Sequence, residues 1–153
     1  MTNLTDDPAQ SDCACLFCNS SKLVLENELA YARFDDHPVS PGHLLIVPKR
    51  HVADFFDATW NEQLALLELL NLGKAEVLKK HKPDGFNIGV NCGVAAGQSI
   101  LHVHMHLIPR YQGDVANPRG GVRAVIPHKQ AYPGQGKFLS ADSPTGMVEN
   151  PTG

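Results

Sequence analysis

Short apolar runs, some continuous and some alternating with polar residues, predict a sheet of about five strands. Short connections favour antiparallel neighbours, so the sheet is expected to be antiparallel. The candidate strands are residues 23–34 (two strands with a turn at Asn27 and Glu28), 43–48, 86–92, 101–109 and, as a last short strand, 122–126.

One long helix is predicted between the third and fourth strands. Thr59 and Glu62 have the spacing of a capping box, which marks the start of a helix. An apolar stripe with a period of about 3.6 residues continues to about His81, after which Pro83 and Gly85 end the helix. The stripe consists of Leu64, Leu67, Leu70 or Asn71, Lys74 or Ala75, and Leu78. The fold class is therefore α+β, with this helix packed on one face of the sheet.

Three histidines, His102, His104 and His106, occupy alternate positions in the strand predicted over residues 101–109. In an extended strand their rings would share one face, and the apolar residues between them would share the other. Burying polar rings without partners is costly, so a functional role is favoured over a core role. Either a nucleophile or a metal site fits this pattern.

The loop before the histidines favours phosphate over metal. Residues 93–99, Gly-Val-Ala-Ala-Gly-Gln-Ser, are small enough for backbone N–H groups to approach an anion closely. A neutral imidazole beside such a loop is placed to attack phosphorus, provided that its other nitrogen donates to an acceptor.

The composition is that of a single globular domain with 42% hydrophobic and 19% charged residues. A net charge of -3 gives no general attraction to nucleic acid or to acidic membranes, so neither is an expected partner. There is no apolar run near the ~20 residues of a membrane span, and residues 1–12 read as a flexible N-terminus without signal-peptide features. A cytoplasmic location is expected, with residues 129–153 forming an extended, mostly disordered tail.

Three of the four cysteines are crowded into residues 13–18. They are too close together to staple a fold, and in a cytosolic chain they indicate metal or redox chemistry. Cys15 and Cys18 have the C-x₂-C spacing of half a metal site, and Cys13 is an extra thiol that could compete with Cys15.

The run His-φ-His-φ-His-φ-φ (φ apolar) at residues 102–108 resembles the signature of the histidine triad (HIT) family of nucleotidyl hydrolases and transferases. Gly-His at residues 42–43 and Gly-Gln-Ser at residues 97–99 are similar to further motifs of that family. The resemblance covers residues 13–128 and is strongest to bacterial diadenosine polyphosphate hydrolases. It implies a HIT domain over those residues and a homodimer with paired sheets.

The resemblance also implies roles for individual residues. The catalytic residues would be His104, His106, His102 and His43, with His104 as the nucleophile and His43 and His106 at the phosphate oxygens. The nucleotide contacts would come from Asp35 (ribose), Asn91, Gln98 and Ser99. Some branches of the family hold a structural zinc with residues corresponding to Cys15, Cys18, His51 and His102, and no catalytic cofactor is required.

The implied activity is cleavage of a dinucleoside polyphosphate, or a related nucleoside 5′-phosphate derivative, at the α-phosphate through a nucleotidyl-histidine intermediate. Alternatives are an adenosine phosphoramidase, a nucleotide-binding protein without turnover and a metalloenzyme built on the three histidines. Arg119 and Arg123 are either contacts for the distal phosphates of a long substrate or solvated surface charges.

Overall fold

The computed structural model describes residues 15–19 and 21–133, which group into two compact units, one up to Ala116 and one from Asn117. Cys13, the predicted flexible segment 1–12 and residues 134–153 of the predicted tail lie outside the described residues. In the described part of the chain, no helix has the length and apolarity needed to cross a membrane.

A five-stranded antiparallel sheet forms the first unit, as the sequence predicts. Its strands lie in the order β1-β2-β3-β5-β4. They are β1 (Leu25–Glu26), β2 (Ala30–Phe34), β3 (Leu44–Pro48), β4 (Gly85–Val90) and β5 (Met105–Arg110). The turn between β1 and β2 forms at Asn27 because its Oδ1 accepts hydrogen bonds from the backbone N–H groups of Leu29 and Ala30.

Two of the predicted strands differ from the structure. β5 begins at Met105 rather than at residue 101, because the Val103 N–H donates to the Val52 carbonyl, outside the sheet, at 2.8 Å. The last short strand predicted over residues 122–126 is wrong. Residues Gly121–Val125 form a 3₁₀ helix, which begins after Gly120 in the left-handed conformation (φ 84°) and is followed by another 3₁₀ turn at Pro127–Lys129.

The single long helix, α1 (Trp60–Leu78), has the predicted capping box. Thr59 Oγ1 accepts from the Glu62 N–H, and the Glu62 carboxylate accepts from the Thr59 N–H. Most of the predicted apolar stripe, however, does not face the sheet: Leu64 and Leu67 are 46% and 45% exposed, whereas Leu70 packs against the core. The buried residues of α1 are Glu62, Ala65, Leu66, Leu69, Gly73 and Val77, of which Ala65, Leu66 and Leu69 belong to the core formed with the sheet.

Small residues explain which side of α1 packs on the sheet. A Cβ added to Gly73 would lie 2.6 Å from Leu44 Cδ2, so a larger residue here would force the buried Leu44 side chain to shift. The sheet face under α1 carries the main core, formed with Ala30, Ala32, Leu44, Ile46, Met105 and Leu107. A smaller cluster on the other face consists of Phe17, Tyr31, Leu45 and Val47.

Candidate functional site

The histidine site lies on the sheet face opposite α1. His106 pairs with Leu45 of β3, whereas its neighbours Met105 and Leu107 point into the core under the helix. The rings of His104 and His106 meet with centroids 5.0 Å apart, and the Phe17 ring also lies 5.0 Å from His104. Two of the three predicted rings therefore form one contact pair on this face.

A single hydrogen bond fixes the tautomer of His104. Its Nδ1 lies 2.9 Å from the His102 carbonyl oxygen, which can only accept. Nδ1 therefore carries a proton, and in the neutral ring Nε2 carries the lone pair. His104 is 7% exposed, so few waters compete for that nitrogen. In its neutral form the ring therefore has the tautomer that nucleophilic attack requires.

His43 and His106 form the second half of the histidine site. The Val39 N–H donates to His43 Nδ1 at 3.3 Å, so the His43 proton sits on Nε2, which lies 3.0 Å from His106 Nδ1. His106 is then protonated on Nε2, leaving that N–H to donate to a bound group. Burial, with His104 and His43 nearby, lowers the pKa of His106 to about 4, and burial also lowers the pKa of His43. Both rings are neutral at pH 7.

Asp35 lies beside the His43 ring. Its Oδ2 is 3.4 Å from His43 Nδ1, and its Oδ1 accepts from the His37 N–H at 2.9 Å. The carboxylate is 19% exposed, so it has room to accept hydrogen bonds from a ligand. Of the other predicted nucleotide contacts, Asn91 is half-buried just beyond β4, and Ser99 is exposed at the end of the loop of residues 93–99.

Gln98 is buried, and its side chain binds backbone. Its Nε2 donates to the carbonyls of Ala53 (2.6 Å) and Ile100 (3.1 Å), and its Oε1 accepts from the Gly93 N–H at 2.8 Å. These bonds close the loop of residues 93–99 on itself and tie it to the chain after β3. Positive φ angles at Gly93 and Gly97 (84° and 88°) allow the short 3₁₀ turn Val94–Ala96 between them.

A second centre, here called the metal centre, collects Cys15, Cys18, His51 and His102. One ligand atom from each of the four residues lies within 4.8 Å of all the others. His102 Nδ1 is 3.4 Å from Cys15 Sγ and 3.8 Å from Cys18 Sγ, and Cys18 Sγ is 3.2 Å from His51 Nδ1. Zinc–ligand bonds of ~2.0–2.3 Å in a tetrahedron place ligand atoms about 3.6 Å apart. The donor set and its spacing therefore fit zinc.

The other ring nitrogen of His102 also suits a metal ligand. Nε2 lies 2.9 Å from the Pro48 carbonyl oxygen, so it carries the proton and leaves Nδ1 unprotonated towards the thiols. The His102 ring contacts the His51 ring at 4.9 Å. The structure thus divides the three histidines: the ring of His102 belongs to the metal centre, and its carbonyl contacts His104.

Two residues on the histidine face were missed from the sequence. Phe17, between the two cysteines, packs on His104, and nothing in its short local pattern signals this contact. Arg33 is 6% exposed and lies on the same face as Tyr31 and Leu45. Its place in the otherwise apolar run of β2 was a signal that sequence reasoning could have used.

Comparison with known proteins identifies the family. The family model described as HIT domain matches residues 18–113. The chain belongs to the HIT, or histidine triad, family. It is 41% identical over 111 residues to a HIT-like protein of Methanocaldococcus jannaschii, covering 65% of this chain and 81% of that protein.

Two relatives have names that state an activity. The AP-4-A phosphorylase of Mycobacterium tuberculosis is 37% identical over 93 residues, which cover 60% of this chain and 48% of the relative. The adenosine 5′-monophosphoramidase of Saccharomyces cerevisiae is 36% identical over 109 residues, covering 67% of this chain and 66% of the relative.

Solved structures agree with the fold. A HIT family protein from Bacillus anthracis superposes with a TM-score of 0.62 at 33% identity, covering 66% of this chain and 76% of that one. A zinc-bound histidine triad family protein from Mycobacterium smegmatis has a TM-score of 0.61 at 28% identity, covering 68% and 80% of the two chains.

Proposed function

We propose that this protein is a nucleotidyl hydrolase that cleaves dinucleoside polyphosphates, or related nucleoside 5′-phosphate derivatives, at the α-phosphate. The observation that carries the proposal is the bond from His104 Nδ1–H to the His102 carbonyl, which leaves the Nε2 lone pair available. The coarser class, an enzyme that acts on nucleotides, is supported by the family and by relatives named as a phosphorylase and a phosphoramidase.

The reaction takes place in two displacements. His104 Nε2 attacks the α-phosphorus as the bond to the leaving phosphate breaks, and the leaving group departs with the electron pair. Water then attacks the nucleotidyl-histidine, which releases a nucleoside 5′-monophosphate and restores the neutral ring. Holding the ring in line can contribute ~7–11 kcal/mol relative to a bimolecular encounter.

The neighbouring groups stabilise the phosphoryl oxygens in this scheme. His106 donates through Nε2–H, while its Nδ1 accepts a hydrogen bond from His43 Nε2–H. The backbone N–H groups of residues 93–99 supply further donors. Each well-placed donor contributes roughly 3 kcal/mol to transition-state stabilisation. Asp35 accepts from the ribose hydroxyls, and Asn91 and Ser99 contact the phosphates. Gln98 acts as a positioning residue, because backbone groups occupy its amide.

A phosphoramidase is the second candidate, favoured by the similarity to the yeast adenosine 5′-monophosphoramidase. The same nucleophile would attack the same phosphorus, and the nitrogen would take up a proton from solvent as the P–N bond breaks, so that a neutral amine leaves. A comparison of kcat/KM on diadenosine tetraphosphate and on adenosine 5′-phosphoramidate ranks the two activities. The larger value identifies the preferred leaving group.

The His104→Asn variant tests the nucleophile. Incubation of the unaltered protein with either substrate, followed by acid-free quenching and mass analysis, should show an adenylyl group on His104. The variant should bind adenosine monophosphate but lose turnover and the adduct, whereas the exposed control His128→Asn should retain both. Near-normal kcat in His104→Asn would show that the assignment is wrong. Nucleotide binding without turnover in the unaltered protein would instead indicate a binding protein.

We also propose that the metal centre holds a structural zinc. Two thiolates and two imidazoles complete a tetrahedron, so zinc would have no open position for substrate. When bound, the ion would join the segment around Cys15 and Cys18 to the residues after β3 and before β5. Reduced thiols at this centre agree with a cytoplasmic location, which we propose as well.

A homodimer is proposed from two neighbouring exposed features. β4 is the outer strand of the sheet, and its Ile88 is 47% exposed. Lys74 Nζ lies 5.8 Å from the centre of the Phe86 ring, so this side of α1 borders β4. On that side Leu67 and its neighbours form the apolar stripe that the sheet does not bury. A second copy that pairs β4 with β4 would cover both features and join the two sheets.

A further inference from the structure

A cavity of about 350 Å³ lies beside the histidine site, between residues 15–22 and the C-terminal end of β2. This volume is at the lower end of the ~300–1,000 Å³ typical of small-molecule sites. Its lining residues are Cys15, Leu16, Asn19, Ser21, Lys22, Arg33 and Asp36. None of these residues has a role in the mechanism above except Cys15, at the metal centre.

The position of the cavity follows from the sheet register. Arg33 pairs with Leu45, and Leu45 pairs with His106, so all three lie in one row on the same face. With adjacent strands ~4.8 Å apart, Arg33 is about 10 Å from His106. Asp35 directly follows β2 and contacts His43. A nucleotide with its phosphate at His104 and its ribose at Asp35 would therefore direct its base towards this cavity.

The charged groups of the cavity form ion pairs with one another. The Asp36 carboxylate accepts from Lys22 Nζ at 2.9 Å and from Arg33 Nη2. The Arg33 side chain is 7% exposed, and among the described residues its Nε and Nη2 have partners, which leaves Nη1 for a ligand. The Lys22 ammonium, with Arg33 nearby, holds the pKa of Asp36 below its usual range, so the carboxylate is ionised at neutral pH. Leu16, 69% exposed, supplies an apolar wall.

We propose that Arg33, Asp36 and Lys22 at this cavity select guanine over adenine as the base of the bound nucleotide. A guanine edge presents two adjacent donors, N1–H and N2–H₂, and the acceptor O6. The carboxylate of Asp36 accepts from the two donors, and the cations donate to O6. Adenine presents one donor beside an acceptor, N1, whose lone pair would face the second carboxylate oxygen. This inference rests on the proposed function, because the ribose and phosphate orient the base.

Calorimetric titration with guanosine, inosine and adenosine 5′-monophosphates tests the proposal on the full chain at fixed ionic strength. Guanosine monophosphate should bind at least about tenfold tighter than adenosine monophosphate, with inosine monophosphate, which lacks the N2 amino group, between them. Asp36→Asn should reduce the preference to about threefold or less. The matched control is Glu26→Gln, because Glu26 is 54% exposed and pairs with Lys49 at 2.9 Å, as Asp36 (52% exposed) pairs with Lys22. This control should keep the full preference.

Each outcome decides the proposal. Equal binding of the two nucleotides by the unaltered protein, together with an adduct on His104, overturns the base selection and leaves the proposed function intact. A guanine preference that survives Asp36→Asn also overturns it. Failure of all three nucleotides to bind overturns both the base selection and the proposed function.

Discussion

Glu62 is a buried carboxylate, and neutralising its charge should clearly destabilise the fold. Its side chain is 6% exposed, and Arg50 donates to both of its oxygens, from Nε at 2.7 Å and from Nη2 at 2.8 Å. The same carboxylate accepts from the Thr59 N–H at 2.7 Å and so caps α1. These bonds attach the chain after β3, which carries His51, to the start of the helix.

The magnitude follows from the carboxyl pKa. The hydrogen bond from Arg50, and those from Thr59, lower the pKa of Glu62 from 4.5 to about 2. A difference of about 2.5 units corresponds to about 3.4 kcal/mol at about 1.36 kcal/mol per unit. Because the Arg50 side chain is 52% exposed and solvent screens the pair, about 2 kcal/mol is the better expectation. Glu62→Gln should therefore lower the free energy of unfolding at pH 7 by about 2 kcal/mol.

Urea denaturation of zinc-saturated protein measures this change. Glutamine preserves the shape and can still accept from Thr59, so the variant isolates the charge. Since the folded pKa is depressed, the stabilisation is complete above about pH 4.5 and is lost as the pH falls towards 2. The difference in the free energy of unfolding between the unaltered protein and Glu62→Gln should narrow by about 1 kcal/mol between pH 5 and pH 3.5.

The control Glu76→Gln, which removes an exposed pair with Lys79 on the same helix, should change stability by less than about 0.5 kcal/mol. A Glu62→Gln effect as small as the control, or one independent of pH, would refute the reasoning.

Three further predictions concern the metal centre, the dimer and His106. Protein purified without chelators should contain about one zinc per chain by elemental analysis, and a content below about 0.2 would contradict the proposed site. Leu67→Asp should convert a dimer into a monomer in light-scattering measurements, while the exposed control Lys80→Asp should not; a dimer that survives Leu67→Asp refutes the proposed interface. Because burial lowers the pKa of His106 from 6.5 to about 4, stability should fall as the pH falls from about 6.5 to 4. His106→Gln should flatten that part of the stability–pH curve, and an unchanged slope would show that His106 does not cause it.

The sheet was predictable because its strands are local apolar runs, but their ends were not. Nothing near residue 103 shows that its N–H will bond to Val52 instead of joining β5. Such a bond joins residues distant in sequence, and only the folded chain brings them together. Residues 122–126 were wrongly predicted to form a strand because their composition is typical of strands. The glycines before them and Pro127 after them favour turns instead.

The helix shows why a correct period can point to the wrong face. α1 carries two stripes, a leucine stripe that includes Leu64 and Leu67 and a stripe that includes the small residues Ala65 and Gly73. Hydrophobicity alone favours the first, but close packing on Leu44 selects the second. Apolar periodicity reports that a face is to be covered. It does not report whether the sheet or another chain covers it.

The ligand set of the metal centre could not be predicted from the spacing of the cysteines alone. Cys15 and Cys18 give half of a ligand set, but His102 lies 87 residues from Cys15, and only the resemblance to the family paired them before the structure was known. For Gln98 the resemblance implied a ligand contact, whereas its hydrogen bonds indicate a role in closing the loop. Local motifs therefore indicated the residues that form the two clusters, whereas long-range contacts were needed to assign each residue to the histidine site or to the metal centre.

His102 connects the metal centre to the proposed nucleophile, His104, through three separate atoms. Nδ1 faces the thiols, Nε2–H is held by the Pro48 carbonyl, and the backbone carbonyl accepts from His104 Nδ1. A ring fixed at both nitrogens restricts rotation of its own backbone, and this holds the carbonyl towards His104. The tautomer of the proposed nucleophile is therefore set by a residue that does not itself touch phosphorus. On this reasoning the alternate spacing places His102, a proposed structural residue, two positions before His104, the proposed nucleophile.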